Sequence, residues 1–232
     1  MDVIFTRHVL KGKCAVIIKL NNREEWLKAR QNQGIGGSEA GIVIGVNKYQ
    51  SNVELWELKT GRREAPDLSN NPAVMFGKNA EPLLRELFKL DYPDYDVQYH
   101  EFDIFVNDKY PFIFATLDGE LTAPDGSRGI LEIKTTTIQN SRQWDEWDNQ
   151  IPNTYYVQIL HQLAATGWDF AILKAYIRYH SAADEEIRAM VRHYRIDRKD
   201  VESDIAWLIQ KESEFWQAVK EDKRPNLILP EI

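Results

Sequence analysis

Apolar positions follow two periods along this chain, and the periods assign its elements. Between Ala73 and Leu90 the residues Phe76, Ala80, Leu83, Leu84, Leu87 and Phe88 recur at helical spacing. The same spacing runs through Tyr156, Ile159, Leu160 and Leu163, with Tyr155, Gln158 and Gln162 on a polar stripe beside it. It returns in Val201–Val219 through Val201, Ile205, Leu208, Ile209, Trp216 and Val219. Local signals set the limits. Asn22 with Glu25 is a capping-box-like start for a helix through Trp26, Leu27 and Arg30. Gly61 closes a helix over Asn52–Thr60. Pro152 is placed to begin the helix that Gly167 stops, and Asn140–Gln150, with Trp144 and Trp147, reads as a short one. Ser38 reads as the N-cap of a helix through Ile44, fed by the glycine-rich Gly34-Ile35-Gly36-Gly37. Pro82 should kink its helix or begin a second segment, and either would fix where Glu81 points.

Two-residue alternation marks strands. Val97–Val106 alternates and leads into Phe112–Thr135, which reads FIFATLDGELTAPDGSRGILEIKT. Pro124-Asp125-Gly126 is its turn. Folded about Asp125, residues whose numbers sum to about 250 lie opposite, so Asp118 faces Glu132. Lys134 projects from the same face as Glu132. Phe170–Arg178 and Ile187–Ile196 form a second hairpin, the latter locally basic at Arg188, Arg192, His193 and Arg195, while Val3–Leu20 holds one or two short edge strands. Arg62–Pro72 is the clearest loop, and the apolar tail Pro225–Ile232 is expected to dock on the domain or on another subunit. Helices first, then a mixed sheet, a helix, more strands and a terminal helix imply one α/β (α+β) domain, with a central mixed sheet flanked by helices. Its bounds are 1–232, with a core over about 22–180 and a C-terminal helix and tail over 198–232.

Composition narrows the chemistry. The 232 residues suffice for one sizeable core, and no apolar run reaches the length of a membrane span. The N-terminus lacks a signal-peptide pattern and Cys14 is the single cysteine, so an intramolecular disulfide, a thiolate zinc site and a four-cysteine iron–sulfur cluster are excluded and an intracellular setting is expected. A net charge of −7 argues against a simple nucleic-acid binder, but a metal-dependent nuclease concentrates carboxylates at its site. An opposite-charge pair across a hairpin can be ordinary sheet stabilisation. Here Leu131 and Ile133 back one strand while Ile113, Ala115 and Leu117 fill a side of the other, so the hairpin reads as buried on both faces and its charges need partners. The Gly34–Gly37 loop before a helix could hold a phosphate, or simply start that helix; it matches neither a Walker loop nor a dinucleotide fingerprint.

Five segments carry a resemblance: Arg30 followed by GIGGSEA, FGKNAEP at Phe76–Pro82, LDGE at Leu117–Glu120, LEIKT at Leu131–Thr135, and YYVQILHQL at Tyr155–Leu163. In this order and spacing the chain resembles the PD-(D/E)xK nucleases, and more closely the lambda-type exonuclease branch, also called the YqaJ viral recombinase family. Leu117 stands where that family has a proline. The resemblance implies a restriction-endonuclease-like core in which Asp118, Glu132 and the Ile133 backbone carbonyl ligate Mg²⁺, or Mn²⁺ in its place, with one or two ions per site. Glu81 is implied as a further acidic ligand and Lys134 as the group that holds the attacking water. Arg30, Ser38 and Gln158 match the family's 5′-phosphate positions. The implied activity is 5′→3′ digestion of one strand of linear duplex DNA, leaving 3′ overhangs for annealing. The implied partners are double-stranded DNA ends, a single-strand annealing protein and two further copies in a homotrimer ring; no membrane is involved. The implied setting is the cytoplasm of a bacterial host, with a phage or prophage origin. Two alternatives stay open: a PD-(D/E)xK endonuclease or a Cas4-like nuclease without its iron–sulfur cluster, and a non-catalytic DNA-binding module on the same fold.

Overall fold

The computed structural model describes residues 6–9, 15–32, 34–181 and 186–229. Cys14, part of the Val3–Leu20 segment and the last tail residues lie outside the described residues. Strands β1 (Thr6–Val9) and β2 (Ala15–Lys19) lead into α1 (Arg23–Asn32), where Asn22 Oδ1 accepts from the Glu25 N–H at 3.0 Å. Next come β3 (Ile35–Gly36) and α2 (Gly37–Val43). The cap of α2 is Gly36, not Ser38: the Gly36 N–H donates to Glu39 at 2.9 Å, and Ser38 is exposed in the first turn. The reason is steric. Gly36 still pairs with Phe114, and a Cβ there would meet the Phe114 ring at 3.2 Å, so strand runs into helix with no room for a capping side chain.

The chain continues through α3 (Asn52–Lys59), α4 (Pro72–Asp91), β4 (Asp96–Gln98), β5 (Ile104–Asn107), β6 (Ile113–Ala115), β7 (Gly119–Thr122) and β8 (Arg128–Ile138). It closes with α5 (Ser141–Asp145), α6 (Asn153–Thr166), β9 (Phe170–His180), β10 (Ile187–Asp197) and α7 (Glu202–Lys220). Pro82 lies inside α4 without dividing it. Gly167, at φ 67°, ends α6 in the left-handed conformation that glycine adopts without strain.

Mixed strands flanked by helices are present, but they divide into two five-stranded sheets, ordered β1-β2-β5-β6-β3 and β10-β9-β8-β7-β4. Two alternating runs that read as single strands each cross between sheets, β4 to β5 at residues 99–103 and β6 to β7 at Thr116–Asp118. The cores explain the second crossing. Ile113, Ala115 and Leu117 pack in the main core with α6, whereas Leu121 packs under α4 with Leu84, Phe88, Leu131 and Ile133. Each fully buried apolar side chain contributes about 1.5–3 kcal/mol, so satisfying both cores outweighs keeping the strand straight.

Strand β8 is the spine. It pairs antiparallel with β7 and parallel with β9, the parallel connection running through α6. Its side chains alternate between Leu131 and Ile133, under α4, and Glu132, which bonds to α6. The tail docks on α3: Asn52 Nδ2 donates to the Asn226 carbonyl at 2.8 Å, and the Ile228 N–H donates to Asn52 Oδ1 at 3.0 Å.

Candidate active site

The β7–β8 register places Gly119 opposite Leu131 and Glu120 opposite Ile130, so Asp118 arrives beside Glu132 where the chain leaves the ladder. Asp118 Oδ2 accepts from the Ile133 N–H at 2.8 Å. In an extended strand the N–H and C=O of one residue point to the same edge, so the Ile133 carbonyl also faces Asp118. Glu132, 1% exposed, is held on both oxygens. Oε1 accepts from Lys134 Nζ at 2.6 Å and from Gln158 Nε2 at 2.6 Å, while Oε2 accepts from Gln162 Nε2 at 2.5 Å. Lys134 Nζ also lies 5.3 Å from the Tyr155 ring centroid. From the other side α4 brings Glu81, bonded to Arg85 four residues on, and the Arg85 Nε–H donates to the Asp118 carbonyl.

Charge in this cluster is unbalanced. Burial, then the neighbouring Glu132 and Glu81 carboxylates, pushes the Asp118 carboxyl well above the ordinary aspartate range, against the pull of Lys134 and the Ile133 N–H. Burial also raises Glu81; Arg85 opposes it and Glu132 adds to it. Burial works against the Lys134 ammonium, but Glu132 and Asp118 outweigh it and hold its pKa above the ordinary lysine value. The shift favours the ammonium form, which donates a hydrogen bond to Glu132. Three carboxylates face one ammonium and one guanidinium, all oxygen donors of the kind a hard divalent cation takes. The donor set and its surplus negative charge fit such an ion.

The carboxylates do not lie tightly together. Among the described residues it is His100, Asp103 and Glu120 that bring three ligand atoms within 4.8 Å of one another. That cluster was not expected from the sequence, and its acids have partners outside it: Glu120 bonds Arg128 at 2.9 Å, and Asp103 lies 3.7 Å from Lys19.

A cleft of about 470 Å³ opens onto Asp118 and Glu81. Arg23, Arg30, Lys78 and Arg85 line it, with Trp26, Tyr99 and Phe102. Arg30 lies over the Trp26 ring at 4.2 Å and has no carboxylate within salt-bridge distance among the described residues. Burial lowers its pKa, and Glu39 opposes that. Of the other proposed phosphate ligands, Gln158 turns its amide N–H to Glu132. Ser38 follows Gly37, where a Cβ would lie 3.4 Å from Gln158 Cγ. Gly34 answers to packing: at φ +139°, a Cβ there would lie 2.0 Å from the Phe112 carbonyl oxygen, beside the Ile35 N–H to Phe112 O bond of 2.7 Å.

Sequence reasoning missed Arg85 and gave Gln162 no role. The spacing of Gln162 four residues after Gln158, on one helix face, was the available signal for the latter.

Residues 25–169 match the family described as the YqaJ-like viral recombinase domain. The uncharacterised protein YqaJ of Bacillus subtilis (strain 168) is 31% identical over 213 residues, covering 89% of this chain, and the chain spans 60% of that relative's length. Among solved structures, an alkaline exonuclease from Laribacter hongkongensis superposes with a TM-score of 0.62 at 21% identity, over 86% of this chain and 94% of that one. The same enzyme in complex with dAMP gives the same TM-score. Among the described residues no helix is long and apolar enough to cross a membrane.

Proposed function

Because the chain belongs to the YqaJ-like viral recombinase domain family, we propose that it is a divalent-metal-dependent deoxyribonuclease that digests one strand of linear duplex DNA from its 5′ end. One observation carries the reading: Asp118 and Glu81 open onto a cleft that Arg30 also lines, and the Glu132–Lys134 ion pair lies on β8 beside Asp118. The alkaline exonuclease fold supports the same reading.

Asp118, Glu132 and the Ile133 carbonyl would hold Mg²⁺ or Mn²⁺, with Glu81 serving a second ion or a water. A divalent cation there supplies Lewis acidity, making water reactive at neutral pH and offsetting charge that builds on the phosphodiester. The protein's own groups do the rest. Lys134, kept as an ammonium by Glu132, orients the attacking water by donating to it and stabilises developing negative charge. Gln158 and Gln162 fix the Glu132 carboxylate so that it does not reorganise during reaction. Arg30, together with Ser38 and Gln158, would receive the terminal 5′-phosphate. The product is a duplex with a 3′ overhang, the substrate of a single-strand annealing protein. A homotrimer ring around DNA would reconcile the acidic net charge with DNA binding.

End-labelled linear duplex incubated with Mg²⁺, EDTA or Ca²⁺ tests this reading. Digestion is expected with Mg²⁺ alone. Covalently closed circles should survive, and cutting of circles would favour an endonuclease. Ends bearing a 5′-phosphate should be digested faster than 5′-hydroxyl ends, and Arg30→Ala should abolish the difference; equal rates in the parent remove Arg30, Ser38 and Gln158 from the site.

A further inference from the structure

We propose that Arg85 is a positioning residue of this site: its guanidinium sets the place of both Glu81 and Asp118 for cation binding. The inference rests on the nuclease reading above and extends it to a residue outside the carboxylate–lysine set.

Arg85 is 7% exposed, and a buried guanidinium is costly unless its donors are met. Two of them are met at the site. Nη2 donates to Glu81 Oε1, one helical turn back on α4, and Nε donates to the backbone carbonyl of Asp118. Arg85 therefore ties the helix that carries one acid to the crossing point that carries the other. The Tyr99 ring stacks on the guanidinium, with Arg85 Cζ 3.5 Å from the ring centroid. Glu81 Oε2 has no hydrogen-bond partner among the described residues and is free for a cation or a water.

The guanidinium fork is what reaches both acceptors. A lysine at position 85 keeps the charge but cannot reach two acceptors in one plane. A surface i,i+4 pair would tolerate that change, whereas a device that places two acids would not. Charge alone predicts the opposite sign, since removing a cation from the site should tighten cation binding.

Calorimetric titration with Ca²⁺ separates the two without requiring turnover. Arg85→Lys is expected to bind Ca²⁺ about tenfold to a hundredfold more weakly than the parent, the range for losing a group that orients a metal ligand. The Mg²⁺ concentration for half-maximal digestion should rise in parallel, with melting of the metal-free protein recorded as the control for folding. If Arg85 acts through Glu81, the Ca²⁺ affinities of Arg85→Lys, Glu81→Gln and the double variant will be non-additive. Unchanged affinity in Arg85→Lys, tighter binding in Arg85→Gln, or additive effects would each overturn the proposal. A parent that binds no divalent cation overturns the nuclease reading and this inference together; a parent that binds, beside a Lys variant that binds equally well, overturns the role of Arg85 alone.

Discussion

Asp118 Oδ2 accepts a hydrogen bond from the Ile133 N–H at 2.8 Å, so the last residue before β7 is fastened to β8 one position past Glu132. That bond fixes Asp118, but it does not make the site comfortable. Burial and two neighbouring carboxylates raise the Asp118 pKa, so the folded protein holds that proton more tightly than the unfolded chain does. The stabilising contribution of such a group is complete in acid and is lost as pH rises through the folded value. Asp118→Asn keeps the Ile133 bond and removes the charge. It should lower digestion at least a hundredfold, the scale of losing one preorganised electrostatic group. In EDTA at neutral pH its melting temperature should equal or exceed the parent's, with the difference closing in acid. A uniform loss of stability at every pH would contradict this.

Gln162 is 1% exposed and donates to Glu132 Oε2, and its own Oε1 is buried with no hydrogen-bond partner among the described residues. A buried amide with an unmet oxygen is kept for what its nitrogen does. Gln162→Leu should leave Glu132 Oε2 without its α6 donor and weaken metal binding, raising the Mg²⁺ requirement by roughly 10-fold to 100-fold. The Mg²⁺ dependence of digestion measures it. A change in kcat at saturating Mg²⁺ with no change in that dependence would place Gln162 outside the metal site.

How much of this could be read beforehand depends on what local patterns encode. The β7–β8 register was legible because the Asp-Gly turn closes it: Gly126 takes φ +83°, and the Gly126 N–H donates to the Ala123 carbonyl at 2.8 Å. Helices α3, α4, α6 and α7 were legible from period and caps. The sheet crossing at Thr116–Asp118 was not, because the apolar alternation continues through it while only the identity of the facing core changes. Arg85 was hidden because a Glu four residues before an Arg is the commonest kind of helix-surface pair, and its burial is a tertiary fact.

Gly129 shows the same limit and yields a stability prediction. It pairs with Phe170 across the parallel ladder, and a Cβ there would fall 2.2 Å from the Phe170 ring, which is fully buried. The ring cannot retreat, since it fills the core under α4. Gly129→Ala should cost about 1–3 kcal/mol by overpacking. Chemical denaturation measures the loss; because Gly129 lies outside the carboxylate cluster, digestion at low temperature should survive. A neutral substitution would mean that β8 and β9 are not packed as described.

A buried pair joins α6 to α7. His161 Nδ1 lies 2.6 Å from Glu212 Oε1, and Nε2 lies 2.9 Å from the Phe114 carbonyl, with both side chains fully buried. Both ring nitrogens face acceptors, so the imidazolium satisfies both and the neutral ring leaves one lone pair against an oxygen. Burial lowers the His161 pKa, but Glu212, the Phe114 carbonyl and the more distant Glu39 together raise it above the ordinary histidine value. The sign follows from linkage. The contribution is fully present below the unfolded value of about 6.5 and is lost as pH rises through the raised folded value. Stability measured by denaturant from roughly pH 6 to 9 should therefore fall in the parent. Glu212→Leu, which strands a buried histidine, should cost about 3–5 kcal/mol at the acid end and show a flatter profile. Since His161 lies between Gln158 and Gln162 on α6, the variant should also loosen their hold on Glu132 and raise the Mg²⁺ requirement. Parallel pH profiles in parent and variant would show that this pair does not titrate in the working range.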